Sequence, residues 1–146
     1  MRSLPDRSLL LAAALLWCAA CTPLPPSPAD IKAKKFEIAP GRGVIYIVRD
    51  VGGFYQDGAT LLLDDQVTIT TWPGTYYRWE VAPGTHRIAG YASDSGNITV
   101  KATAGTISFV QQWVGFGMLG PRSRFGPVSF EQGRTVVMRS ELVNGR

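Results

Sequence analysis

His86 is the only histidine of the 146-residue chain, and Cys18 and Cys21 are its only cysteines. One imidazole cannot assemble a His-rich metal centre, and no Cys/His catalytic pair can be built here. With a carboxylate partner it could serve as a general base, which would make the protein a small hydrolase using His86 and loop carboxylates. Its place directly after Pro83-Gly84-Thr85 points instead to a local hydrogen bond at a turn. Asp64 and Asp65 are adjacent, so on a strand they would face opposite ways. With Asp57 and Asp94 they would make a calcium site only if their loops met at one end. Their spacing matches no calcium loop, and turn-forming aspartates account for them. Gly41-x-Gly43 and Gly52-Gly53 lack the following helix and lysine of a phosphate loop, and there is no Gly-x-Ser-x-Gly element. The expectation is therefore no catalytic set, no metal and no cofactor. One stretch stands out, Gln111 to Arg124 (QQWVGFGMLGPRSR). It carries Trp113, Phe116, Met118 and Leu119 among three glycines, then Arg122 and Arg124. Exposed, these side chains would mark a partner or membrane surface; folded inward, they would finish the core.

The elements that must position these residues read as short strands. In Thr75–Tyr91, Tyr77, Trp79 and Val81 recur at every second position, with Arg78 and Glu80 between them, the period of a half-buried strand. Ala82-Pro83-Gly84-Thr85 suits a type II turn, so this stretch predicts a hairpin around which the other strands are arranged. Val44–Val48 is apolar on both faces, as in a central strand covered on both sides. Thr60–Leu63, Val67–Thr71, Asn97–Thr103 and Thr106–Trp113 complete about seven strands. Ile98, Val100 and Ala102 point inward in one of them, and Ile107, Phe109 and Trp113 in the last. The pattern predicts an all-β fold, an antiparallel β-sandwich or small barrel. Ser27-Pro28-Ala29-Asp30 fits a capping box with proline at the first helical position, predicting a short N-terminal helix through Ile31–Lys35. Its Lys32, Lys34 and Lys35 are either a solvated face or a contact with anionic lipid or cell-wall polymer. Ser129 and Gln132 form a second capping box, predicting a C-terminal helix over Phe130–Ser140 despite Gly133; a last strand is the alternative.

The start of the chain has its own logic. Arg2 and Arg7 precede a 12-residue apolar run, Leu9–Ala20, and then Cys21. About 20 apolar residues are needed to span a bilayer, so the run is a secretory signal rather than a span. Cys18-Ala19-Ala20-Cys21 resembles a bacterial lipobox, although Cys18 stands where leucine is usual. That resemblance implies cleavage before Cys21 and its lipidation; an ordinary secreted protein is the alternative. The lipidated chain would retain no free thiol and no disulfide. Loss of Arg2, Arg7 and Asp6 lowers the formal charge from +4 to +3, which gives no case for nucleic-acid binding. Thr22 after the cysteine, rather than aspartate, implies by the same resemblance the outer membrane. Thr22–Ala29 holds four prolines and reads as a semi-rigid spacer. The expected organisation is thus a signal over 1–20, a Pro-rich linker with a short helix over 21–40, and a β-sandwich domain over 41–146.

Lys32–Phe36 (KAKKF), Gly41–Asp50 (GRGVIYIVRD), Gly74–Ile88 (GTYYRWEVAPGTHRI) and the EQGR-led tail together resemble small bacterial envelope lipoproteins carrying a β-sandwich domain. The Pro-Gly-x-His turn is also similar to surface-layer sandwich domains of the PEGA type. Where that family often has an Asp-Gly turn, this chain has Asp64-Asp65. The resemblance implies fold and location and brings no catalytic residue. Since no nucleophile–base pair or metal set can be named, the expectation is a non-enzymatic, membrane-anchored module of the cell envelope that binds a protein, glycan or envelope component, the alternative being the small periplasmic hydrolase built on His86 and loop carboxylates.

Overall fold

The computed structural model describes residues 25–143. The expected signal, Cys21 and the start of the Pro-rich stretch lie outside these residues. The described chain is mostly β, with nine strands in two sheets and two short helices. In order these are α1 (Pro28–Ala33), β1 (Gly43–Arg49), β2 (Ala59–Leu63), β3 (Val67–Thr71), β4 (Thr75–Val81), β5 (Gly84–Gly90), β6 (Asn97–Ala102), β7 (Ile107–Phe116), β8 (Pro121–Val128), α2 (Phe130–Arg139) and β9 (Glu141–Leu142). One sheet has the order β8-β7-β1-β4-β9 and the other β3-β2-β5-β6.

β1 lies at the centre of the five-stranded sheet and every one of its residues is buried. Ile45 and Ile47 join Leu61, Leu63, Ile69, Ile88 and Val110 in one core between the sheets. Val44, Tyr46 and Val48 face the other way and pack with Tyr76, Phe109, Ala33, Val136 and Val137 under the two helices. The two-faced apolar run therefore marks a strand covered by a sheet on one side and helices on the other. Ile98, Val100 and Ala102 point inward as expected.

Three expectations need correction. The sheets are not wholly antiparallel, because β1 pairs parallel with β7 and β4 parallel with β9. The described residues form nine strands rather than about seven. And Thr75–Tyr91 is not a hairpin: β4 and β5 belong to different sheets. Gly84 has φ of 151°, extended mirror backbone rather than the +80° of a type II turn, so the Val81–Gly84 link carries the chain from one sheet to the other. Alternation records which faces are buried and not which strand is the neighbour, so Tyr77, Trp79 and Val81 do face the inter-sheet core.

Both helices begin as their caps dictate. Ser27 Oγ accepts the Asp30 N–H at 3.1 Å, and Ser129 and Gln132 close a reciprocal capping box. α1 is no free linker. The Tyr46 hydroxyl donates to the Ala33 carbonyl at 2.6 Å. Asp30, 4 % exposed, accepts from the Tyr76 hydroxyl at 2.9 Å and the Leu142 N–H at 3.0 Å. Burial first, then the hydrogen bond to Asp30 and its charge, push the Tyr76 hydroxyl far above its ordinary range. Lys34, read as part of a solvated or lipid-facing helix face, is turned inward to Asp30 at 2.8 Å and to the Ser140 carbonyl at 2.7 Å.

Candidate interaction surface

Strand directions assign every loop to one of two ends. Loops 50–58, 72–74, 91–96 and 117–120 lie at the Arg49 end of β1, since Arg49 pairs with Thr75, Leu61 with Gly90, and Val48 with Gln111. Loops 37–42, 64–66, 82–83 and 103–106 lie at the Gly43 end. This arrangement separates Asp57 and Asp94 from Asp64 and Asp65, so the four aspartates do not converge. Among the described residues no group of three or more His, Cys, Asp or Glu side chains could hold a metal.

At the Gly43 end, His86 is held by two acceptors: Asp64 Oδ2 lies 2.7 Å from Nδ1 and the Ala82 carbonyl 2.8 Å from Nε2. Trp79 packs edge-on against the ring, with centroids 5.2 Å apart. Asp64 and Asp65 have φ of 48° and 57°, and the Gln66 N–H closes on the Leu63 carbonyl at 3.1 Å. Left-handed residues at both central positions are the mark of a type I′ turn, so aspartate takes the place of the Asp-Gly pair. Partial burial pulls the His86 pKa down, but the hydrogen bonds to Asp64 and Ala82 and the Asp64 charge outweigh it and raise it. For Asp64, partial burial acts upward, and the hydrogen bonds from His86 and the Arg87 N–H bring it below the ordinary carboxylate range.

The sign of the linkage follows. A raised histidine contributes its stability below its ordinary value of 6.5, and that stability is lost as pH rises through the folded value. Asp64 contributes above its ordinary value and loses it as pH falls. The pair therefore stabilises most between about pH 4 and 6.5. The Asp64 side chain is 41 % exposed, so solvent holds the gain to roughly 0.5 kcal/mol. Urea unfolding of wild type and His86→Gln should show a difference at pH 5.5 that shrinks by pH 9; a constant difference would contradict the pairing.

The Arg49 end is built differently. β7 continues to Phe116, roughly 13 Å past the level of Arg49, and turns through Gly117–Gly120 into β8. The Gly117 N–H donates to the Gly120 carbonyl at 2.9 Å, and Asp94 Oδ2 accepts the Met118 N–H at 3.2 Å. The other Asp94 oxygen is buried and has no protein partner among the described residues. A Cβ on Gly117 would lie 2.6 Å from Asp94 Oδ2, so only glycine lets the carboxylate close under the turn. At the base, Ser95 Oγ accepts the Ser123 N–H and the Gly96 N–H donates to the Ser123 carbonyl. Ser123 Oγ accepts from Gln112 Nε2, whose Oε1 accepts from Thr71. These bonds fix β8 against both sheets.

Arg49 braces the neighbouring loop. Although 3 % exposed, it donates to the carbonyls of Tyr55 (2.6 Å), Thr71 (2.9 Å) and Asp57 (3.0 Å). Tyr55 then meets Phe116 edge-to-face at 5.3 Å. These contacts brace the base of an apolar tip. Phe116 is 77 %, Met118 91 %, Leu119 84 % and nearby Phe54 95 % exposed. Trp113, Arg122 and Arg124 are exposed on the hairpin's flanks, so the inward reading of Trp113 is corrected. A cleft of about 440 Å³ opens between Leu119, Pro121, Tyr91 and Thr60. A second groove, about 680 Å³, runs between β7 and α2 past the Asp50–Arg139 ion pair.

The sequence brings Trp113 through Arg124 together because they are one hairpin. It missed Phe54 and Tyr91, which arrive from other loops. Phe54-Tyr55 beside Gly52-Gly53 was the available signal, since aromatic residues in a glycine loop have no strand face to bury them. No protein-family model and no curated protein matches this chain.

Proposed function

We propose that this protein is a lipid-anchored module of the bacterial cell envelope, attached through Cys21 and placed at the outer membrane. In this reading the two sheets form a β-sandwich related to small envelope lipoproteins, and the module binds or scaffolds rather than catalyses. The observation that carries it is the exposed apolar tip, Phe116, Met118 and Leu119, on a domain whose two cores are complete without it. Monomeric soluble domains rarely expose such contiguous patches unless something covers them. The lipobox-like Cys18–Cys21 and the Pro-rich stretch supply the anchor and a short leash.

The hydrolase reading draws no support from His86. Both ring nitrogens face acceptors, and an imidazolium donating to Asp64 and Ala82 has no lone pair for a substrate proton. Intact mass and membrane fractionation of the protein expressed with its own leader test the proposal. Wild type should carry acyl mass and sediment with outer membrane, and Cys21→Ala should lose both. Soluble, unacylated wild type would overturn it.

A further inference from the structure

We propose that the Arg49 end of the fold, tipped by Phe116, Met118 and Leu119, lies on the bilayer that holds the chain's own anchor. This rests on the lipid-anchor reading and names the partner of the tip. Phe54, Trp72, Tyr91, Phe116, Met118 and Leu119 are all exposed and all sit in or beside the four loops of this end. By the same measure the four loops of the Gly43 end have only Val67, at the edge of loop 64–66, among the described residues. Exposed Ile31, Trp113, Phe130 and Met138 lie on the helices and on β7, so among the loops the exposed apolar side chains gather at the Arg49 end.

The chain also enters at that face. Pro25 and Pro26 lie beside Glu141 and Leu142. Glu141 pairs with Thr75, and Thr75 with Arg49. Cys21 stands four positions before Pro25, a length of chain that can span at most roughly 14 Å, which sets the reach of an anchor at Cys21. The tip is about four strand spacings away across the sheet, roughly 19 Å, and a plane can touch both. Among the described residues no helix is long and apolar enough to cross a membrane.

Charge agrees with a headgroup surface. Arg122 and Arg124 flank the tip, exposed and outside any ion pair among the described residues. Asp94 is turned under the Met118 N–H, and Asp50 is paired with Arg139. Exposed Asp57 and Glu141 balance the two arginines over the end as a whole. The apolar side chains thus provide the attachment, and the arginines favour anionic lipid beside them.

The test uses the full chain with its own leader, carrying a nitroxide at Met118→Cys or, at the opposite end, at Thr103→Cys. Each protein is placed in phosphatidylethanolamine–phosphatidylglycerol vesicles, and collision with a water-soluble nickel chelate and with oxygen is measured. Nickel access at Met118 should fall at least five-fold below that at Thr103, with oxygen access raised. Intact mass reports acylation separately. Acylated protein with equal nickel access at both sites would overturn the inference and leave the anchor standing. Unacylated protein would overturn the anchor and this inference with it, a failure that intact mass separates from the first. Protection of Met118 without vesicles would show a second copy covering the tip and would also overturn it.

Discussion

Replacing Gly133 with alanine is expected to lower stability by about 2–3 kcal/mol, although alanine is the better helix former by about 1 kcal/mol. Gly133 faces the sheet from the first turn of α2. A Cβ there would lie 2.2 Å from Phe109 Cγ and 2.3 Å from Cδ1. Phe109 cannot step aside. It is buried, stacked on Tyr46 at 5.2 Å, and edged by Phe130 at 5.5 Å, with Phe36 at 6.3 Å. The helix must therefore lift, which loosens Val136 and Val137 in the core and strains the Ser140–Glu141 link into β9. For a domain of this size the melting temperature should drop by about 10 °C. Adding Phe109→Leu to Gly133→Ala should restore part of the loss relative to the two single changes, the signature of direct contact. A higher melting temperature for Gly133→Ala alone would mean that α2 does not pack here.

Gly133 also shows how far the sequence could be read. It argued against a helix, yet it is the residue that lets the helix approach the sheet. Nothing local announces a contact with Phe109, 24 positions away. Val44–Val48 was legible because its apolar character on both faces is a property of the strand itself. The Thr75–Tyr91 stretch was legible as two strands but not as partners, since the neighbours of β4 are β1 and β9. β8 was missed because Pro121, Gly126 and Pro127 argue against a strand. Its place at the sheet edge removes the objection, an edge being where proline is tolerated. The buried Arg49 escaped for a related reason: its partners are three backbone carbonyls, and carbonyls carry no sequence signature. The apolar tip was visible as a segment; that it is exposed depends on how far β7 overhangs the sheet.

Asp30→Ala should cost about 2–3 kcal/mol, and under the proposed lipid anchor its consequence should reach the bilayer contact. The carboxylate satisfies the Tyr76 hydroxyl, the Leu142 N–H and Lys34. Removing it leaves the part-buried Leu142 N–H without its acceptor and the buried Tyr76 hydroxyl with only the long contact to the Asp30 carbonyl at 3.4 Å, while Lys34 keeps the Ser140 carbonyl and can turn toward water. Asp30→Asn, which retains an acceptor oxygen, should cost about 1 kcal/mol. Because α1 is the first element of the described chain, the loss should appear as local release: faster hydrogen exchange over residues 27–36 before the sheets open. Release lengthens the tether. With α1 docked, the described chain begins at Pro25, four positions after Cys21; with α1 free, the tether extends to β1 at Gly43. Effective concentration falls as about the −3/2 power of tether length, so the domain's hold on the bilayer should weaken roughly ten-fold. The Met118 label should then become nickel-accessible in Asp30→Ala while acyl mass and membrane sedimentation persist. If the label stays protected with α1 exchanging freely, the tip holds the membrane by itself and the docked helix is dispensable to it.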